Sequence, residues 1–182
     1  MSVFISEVTM CQHSAAVFTI GFTLAIVPFI AISGGAEAGE PAANTNAVSA
    51  QVIARGKYMV QTGHCNNCHT SGYSRSEGNV PEKDWLLGSA PLGYRGAWGT
   101  TYASNLRLTV QSFTQEQWVR YAKTVKPLPP MPWWPLRDTT DADLGAMYQY
   151  IKHLGPAGES APAYLSPDKE PKPPYESRQL VQ

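Results

Sequence analysis

Two cysteines and a histidine in the stretch HCNNCHT, residues 64–70, are the side chains of this chain best suited to chemistry. Cys65, Cys68 and His69 form the pattern C-x-x-C-H, in which an imidazole directly follows a closely spaced pair of thiols. The other cysteine of the chain, Cys11, lies far upstream. Three kinds of site use such residues: a covalently attached haem, a zinc ion and a reversible disulfide.

The spacing of the motif favours haem attachment. Two cysteines on one turn can each reach a vinyl group of a porphyrin, and the adjacent histidine then presents its imidazole to the iron. A thioredoxin-like redox pair should sit beside a βαβ pattern, which this sequence lacks. A structural zinc site needs two more ligands at typical spacing, and beyond the leader the only candidates are His64, His69 and the distant His153. The sequence therefore predicts one covalent haem c on Cys65 and Cys68, with His69 as an axial ligand of the iron.

The second axial ligand is predicted to be Met131. It is flanked by proline on both sides within PLPPMPWWP, residues 127–135, which must be extended and stiff because proline fixes φ. Such a segment does not bury a methionine as routine core, yet it can hold a thioether rigidly against iron. Met59 and Met147 fall on apolar helix faces and are interpreted as core residues. Ligation by Met and His together raises the reduction potential of a c-type haem.

Three helices are predicted around this motif from the spacing of apolar residues. They cover residues 50–62, residues 112 or 114 to 124, and residues 138–154, with capping residues at their starts and Gly or Pro beyond their ends. Residues 71–109 are rich in glycine and have no sustained helical period, which indicates a long ordered loop with room for a short hairpin. The predicted fold class is all-α.

The first 38 residues are predicted to be a secretory signal peptide. An apolar run over residues 15–32 precedes Ala36-Glu37-Ala38, which fits the A-x-A pattern of signal-peptidase cleavage after Ala38. The alternative is a retained membrane anchor, since the run is at the lower limit of a spanning helix. No Lys or Arg precedes Arg55, so the usual positive flank is missing. The expected location is the periplasm, with attachment to the membrane only if the segment is retained.

Beyond the leader, composition divides the chain into three parts. Residues 39–49 are small and polar and are expected to be a flexible lead-in. Residues 50–155 form the predicted haem domain, and the Pro-rich tail, residues 156–182, is expected to run extended over the surface or to be disordered. The chain has 14 basic and 14 acidic residues, and this balance does not indicate a nucleic-acid-binding surface.

The order of these features resembles a class I cytochrome c over residues 50–155. The resemblance rests on a first helix with Gly56, the C-x-x-C-H motif, a proline-flanked Met131 and a closing helix with Met147 and Tyr150. It implies a cytochrome c fold of three to four short helices and long ordered loops around one covalently bound haem. It also implies that the first and last helices cross closely where Gly56 meets Met147 and Tyr150.

Further stretches are similar to the haem domains of periplasmic multihaem cytochrome subunits that serve membrane-bound alcohol and aldehyde dehydrogenases. These stretches are GAWGTTYASNLR at 96–107, TQEQWVRYAK at 114–123 and PPMPWWPL at 129–136. The similarity implies that Trp98, Tyr102 and Asn105 line the haem. It also implies that Arg95 or Arg107 pairs with a haem propionate, because a partly buried carboxylate needs donors.

The function expected from these features is periplasmic electron transfer by a small single-haem carrier that is not itself an enzyme. Its partners would be redox proteins, such as a dehydrogenase, an oxidase or another cytochrome, docked over a small surface of below about 1,200 Å². One alternative is a dedicated cytochrome subunit of a dehydrogenase or reductase, fastened by the tail. Another, from a different class, is a gas sensor or peroxidase with an open iron site in place of Met131 ligation.

Overall fold

The computed structural model describes residues 45–179, and all of them belong to one unit of the chain. The predicted signal peptide or anchor, residues 1–38, lies outside the described residues. Within residues 45–179, no helix is both long and apolar enough to cross a membrane.

Six α-helices and three β-strands make up the part of the chain that the structure describes. The helices are α1, Thr45–Thr62; α2, Cys65–His69; α3, Leu106–Thr109; α4, Gln115–Thr124; α5, Trp134–Asp138; and α6, Asp141–Leu154. The strands are β1, Gly93–Gly96; β2, Gly99–Thr101; and β3, Tyr175–Ser177.

The all-α fold expected from the sequence is wrong, because the three strands form a mixed sheet in the order β2-β1-β3. β1 pairs antiparallel with β2 and parallel with β3, so that Tyr94 lies opposite both Thr101 and Glu176. The strands are too short to show an alternating pattern of apolar and polar residues. β3 also comes from the Pro-rich tail, far along the chain from its partner, so local sequence carries no signal for the pairing.

The helical core forms where α1 crosses α6. A Cβ atom on Gly56 would lie 2.0 Å from the Ala146 carbonyl oxygen and 2.7 Å from Tyr150 Cβ, so this approach requires glycine. The predicted crossing of Gly56 with Tyr150 is confirmed, with Ala146 rather than Met147 at the closest point. Met147 lies inside the buried cluster and Met59 packs at its edge, as expected for core methionines.

The three predicted helices correspond to α1, α4 and α6. α4 begins with a capping box, in which Thr114 Oγ1 accepts from Gln117 N and the Gln117 side chain accepts from Thr114 N. The Thr140 hydroxyl caps α6 in a similar way. α1 begins at Thr45 rather than at residue 50, so the last residues of the expected flexible lead-in are helical.

The sequence predicts that the Pro-rich tail is either extended or disordered. In the structure it is extended and is bound along the domain. The Asn105 side chain donates to the carbonyl oxygens of Ala157, at 2.8 Å, and Glu159, at 3.1 Å. Leu165 and Thr100 exchange two backbone hydrogen bonds of 2.8 and 3.0 Å. β3 then completes the sheet, so the tail is part of the folded unit.

Candidate functional site

The short helix α2 presents the C-x-x-C-H motif. His64 precedes it in a left-handed conformation, with φ at 57°, and turns the chain out of α1. Cys65 and Cys68 are free cysteines, and each residue is partly exposed. Because residues three positions apart lie on one face of a helix, both thiols are on the same side of α2. His64 itself is exposed.

The His69 imidazole is buried and fixed by a single backbone carbonyl. Its Nδ1 lies 2.7 Å from the Ser104 oxygen. A carbonyl can only accept, so Nδ1 carries the proton and donates it, which leaves the Nε2 lone pair available. Burial lowers the pKa of His69 despite the hydrogen bond to Ser104, and the ring is therefore neutral at pH 7. A neutral imidazole oriented through Nδ1–H by a carbonyl is the usual state of a metal-binding histidine.

The surroundings of the Cys65 thiol favour its protonated form. Burial raises the pKa of the Cys65 thiol to about 11. Cys68 lies beside the buried hydroxyl of Tyr94, and burial together with this thiol raises the pKa of Tyr94. Reactive redox cysteines instead have lowered pKa values in electropositive surroundings. This site does not provide such surroundings for Cys65.

Met131 is partly buried in the extended segment that precedes α5. It contributes to a cleft of about 230 Å³, whose other lining residues are aromatic, proline and polar: Trp98, Pro127, Pro129, Pro130, Trp133, Trp134, Arg178 and Gln179. The segment is tied to β2, because Thr101 Oγ1 donates to the Pro129 carbonyl oxygen at 2.7 Å. The expected extended stretch ends at Trp133, since α5 begins at Trp134.

The hairpin of β1 and β2 connects the motif with the methionine segment. Tyr94 of β1 lies beside Cys68. Thr101 of β2 pairs with Tyr94. Its hydroxyl also binds the carbonyl of Pro129, which precedes Met131 by two positions in the sequence. The carbonyl that fixes His69 belongs to Ser104, a few residues beyond the hairpin. Both parts of the candidate site are therefore anchored on the same short stretch of chain.

Two of the residues predicted to surround a haem belong to this hairpin region. Trp98 lines the Met131 cleft, and its Nε1 is buried without a hydrogen-bond partner among residues 45–179. Tyr102 is partly buried, and its ring lies close to the Cα of Gly93, where an added Cβ would be 3.1 Å away. Trp98 is thus beside the predicted ligand, and Tyr102 packs on the hairpin.

The predicted haem neighbour Arg107 is engaged elsewhere. Its buried guanidinium donates to three backbone carbonyl oxygens: Gly155 at 2.6 Å, Lys83 at 2.6 Å, and Leu154. Two of these carbonyls belong to the end of α6, where a cation also suits the helix dipole. Arg107 therefore has a structural role, and its pairing with a propionate stays a prediction that this bonding does not favour.

Asn105 and Arg95 hold the C-terminal tail. Asn105 caps α3 through Leu108 N at 3.1 Å, while its amide nitrogen binds the tail carbonyls. Arg95 donates to the Lys169 carbonyl at 2.7 Å and forms an ion pair with Glu170 at 3.1 Å. Both residues lie near the candidate site in sequence, but their polar groups face the tail.

Sequence reasoning missed Arg178 and Ser104. Arg178 reaches the Met131 cleft from the tail, in a stretch whose composition predicts only an extended chain. Ser104 acts through its backbone carbonyl, which any residue would provide. Neither position carries a sequence signal, because each depends on how distant segments pack.

Within residues 45–179, no three His, Cys, Asp or Glu side chains are close enough together to bind a metal ion as a group. His153 is exposed in the last turn of α6. Comparison of this chain with models of protein families, with characterised proteins and with solved structures gives no match.

Proposed function

We propose that this protein is a single-haem c-type electron carrier. In this proposal Cys65 and Cys68 bind the porphyrin covalently, and His69 and Met131 are the axial ligands of the iron. The observation that carries it is the state of His69. This imidazole directly follows two same-faced thiols, and it is buried, neutral and oriented by the Ser104 carbonyl with its Nε2 lone pair available.

The residues present fit such a group on three further grounds. Both cysteines are free, and neither residue is fully buried. Met131 offers a soft thioether at a cleft, on a segment held by prolines and by Thr101. The buried Trp98 Nε1 has no partner within the described chain, and a buried donor of this kind normally has one.

A haem c with His and Met ligands supplies reversible one-electron chemistry at a raised potential. This chain would contribute fixed ligands and an apolar setting. The Ser104 carbonyl holds the His69 ring, and Thr101 holds the backbone before Met131, so the ring and this segment have restricted freedom. Little rearrangement of these residues is then required when an electron arrives or leaves.

A reversible disulfide between Cys65 and Cys68 receives less support. Thiol exchange proceeds through a thiolate, and the pKa of Cys65 is raised by burial to about 11, which keeps this thiol protonated near neutral pH. The periplasmic location follows from the predicted signal peptide. Partners in this setting are other redox proteins.

The decisive experiment asks whether a pigment is attached covalently. The full chain is expressed in a host that attaches haem to exported C-x-x-C-H proteins, and the purified protein is extracted with acidified acetone. We expect the red pigment to stay with the precipitated parent chain. It should be largely lost from Cys65→Ser combined with Cys68→Ser, while Met59→Leu, which lies at the edge of the helical core and leaves the motif intact, serves as the control.

A colourless parent protein, or one whose pigment dissolves in the acetone, contradicts the proposal. A pigment that stays with the double serine variant also contradicts it, because attachment would then not depend on the motif.

A further inference from the structure

The backbone carbonyl of Ser104, which orients the His69 ring, lies between two anchored residues. On one side the Ala103 backbone is bonded twice to Ser89. Ala103 N donates to Ser89 Oγ at 2.9 Å, and Ser89 N donates to the Ala103 carbonyl at 3.1 Å. On the other side Asn105 is almost fully buried, with 3% of the residue exposed. The position of the carbonyl therefore depends also on what holds Asn105.

The Asn105 side chain forms hydrogen bonds through both of its polar atoms. Its Oδ1 accepts from Leu108 N at 3.1 Å and so caps α3. Its Nδ2 donates to the tail carbonyl oxygens of Ala157, at 2.8 Å, and Glu159, at 3.1 Å. An amide nitrogen carries two N–H donors, which matches these two acceptors. The tail is thus bonded to the residue that directly follows Ser104.

The turn of the tail around this amide is centred on Gly158. Gly158 has φ at 71°, in the left-handed region, and a Cβ added to it would lie 3.1 Å from Asn105 Nδ2. A larger residue would be strained in this conformation and would press on the amide. The turn that offers the two carbonyls to Asn105 therefore favours glycine at this position.

Ser104 and Asn105 share one peptide unit, and this unit is planar and rigid. The direction of the Ser104 carbonyl therefore follows the position of Asn105. The same peptide unit packs against Gly88, where an added Cβ would lie 3.2 Å from Asn105 N and 3.4 Å from the Ser104 carbonyl carbon. Gly88 N in turn donates to the His69 carbonyl at 2.8 Å. A displacement of Asn105 would thus change the hydrogen bond that holds the His69 ring.

We propose that Asn105 is a positioning residue for His69. The tail holds its amide, and the peptide unit that it shares with Ser104 aims the carbonyl at the imidazole. This inference rests on the proposed function, in which His69 is an axial ligand of the haem iron. A carbonyl that accepts from Nδ1–H makes the imidazole a more basic ligand, which stabilises oxidised iron and lowers the reduction potential. The tail thereby contributes to the potential through the backbone of Ser104.

The first test variant is Asn105→Ser in the haem-loaded full chain. Serine caps a helix about as well as asparagine and adds no charge, but it lacks the amide that bonds to the tail. We expect the reduction potential to rise, because the bond from His69 Nδ1 to the carbonyl weakens. The Nδ1 proton, followed by NMR in the reduced state, should exchange with solvent about tenfold faster or more, since two ordinary hydrogen bonds are lost.

The second variant, Gly158→Ala, disturbs the same contact from the tail. It should change the potential and the proton exchange in the same directions. Combining it with Asn105→Ser should add little, because both substitutions act on one contact. Gly78→Ala is the matched control. Gly78 also has a left-handed φ, of 86°, but its added Cβ would only make an ordinary contact of 3.5 Å with Tyr73. This variant should keep both properties of the parent.

The outcomes separate the positioning role from the proposed function. Either test variant is sufficient, so the failure of one to fold leaves the other to decide. An attached haem with the parent potential and exchange rate in the folded variants would overturn the role of Asn105 alone. Equal changes in Gly78→Ala would overturn it as well, because they would reflect backbone strain in general. A parent chain without covalent haem overturns the proposed function, and this inference with it.

Discussion

Gly56 of α1 and Ala146 of α6 are in backbone contact, so that a single added methyl group on Gly56 would lie 2.0 Å from the Ala146 carbonyl oxygen. Gly56→Ala should therefore force the two helices apart and lower the free energy of unfolding by about 3 kcal/mol or more. Urea unfolding followed by circular dichroism measures this loss. The helix propensity of alanine offsets only about 1 kcal/mol of it.

Gly145→Ala is the matched control on α6. Its added Cβ would meet Gln115 Nε2 at 3.0 Å, which is the far end of a flexible and movable side chain. This variant should be close to the parent in stability or slightly more stable. Equal effects of the two substitutions would mean that the α1–α6 contact is looser than the structure indicates.

Arg107 stabilises the fold by satisfying carbonyls at the end of α6. Replacing it with methionine keeps most of the buried stem but leaves the Gly155, Lys83 and Leu154 oxygens without this donor. We expect the free energy of unfolding to fall by about 2–3 kcal/mol. Arg120→Met, at an exposed position on α4, should change it by less than about 0.5 kcal/mol. A similar stability for both variants would argue against the capping role.

The helical part of the fold could be predicted from the sequence because its determinants are local. α4 and α6 begin directly after Thr114 and Thr140, whose hydroxyls cap the first turn, and both helices lie within the predicted ranges. The α1–α6 crossing at Gly56 is implied only by the resemblance to class I cytochrome c. The sheet could not be predicted, since β3 lies far along the chain from its partner β1 and each strand is too short to show a period.

The sequence also predicts only the local features of the candidate site. The positions of Cys65, Cys68 and His69 follow from the motif alone, and the segment of Met131 follows from its prolines. The polar residues around the site cannot be predicted in this way. Arg107 is bound by carbonyls at the end of α6, and Arg178, which belongs to the tail, reaches the cleft. Which arginine meets which group depends on tertiary packing, and the sequence offers several equivalent candidates.

Glu82 should make the free energy of unfolding depend on pH in the acidic range. Lys57 Nζ lies 2.5 Å from its Oε2 and the Tyr150 hydroxyl donates to its Oε1 at 2.8 Å. These bonds, the one from Lys57 foremost, hold the pKa of Glu82 below its ordinary value. A carboxyl with a lowered pKa in the folded state stabilises the protein above its unfolded pKa of about 4.3, and the stabilisation is lost as the pH falls through the folded pKa.

Glu82→Gln should therefore cost about 1 kcal/mol at neutral pH, a modest figure because the Glu82 side chain is 40% exposed. The difference from the parent should shrink below about pH 4, where the parent carboxyl is protonated as well. Urea unfolding over a series of pH values measures this difference. Glu159→Gln, at an exposed position in the tail, is the control and should track the parent throughout. A difference that does not vary with pH would assign the effect of Glu82 to packing.

Met131 is the least constrained of the proposed iron ligands, and its substitution gives the sharpest spectroscopic test. In the oxidised, haem-loaded parent we expect a weak near-infrared band from the bond between sulfur and iron. Met131→Ala should lose this band, lower the reduction potential and bind carbon monoxide promptly when reduced, because a position on the iron is then open. Met59→Leu, at the edge of the helical core, should keep all three properties of the parent. A band that persists in Met131→Ala would show that a different side chain provides the ligand. The candidates would then be Met59, Met147 and His153. The cleft lined by Trp98 and Arg178 would no longer be part of the site.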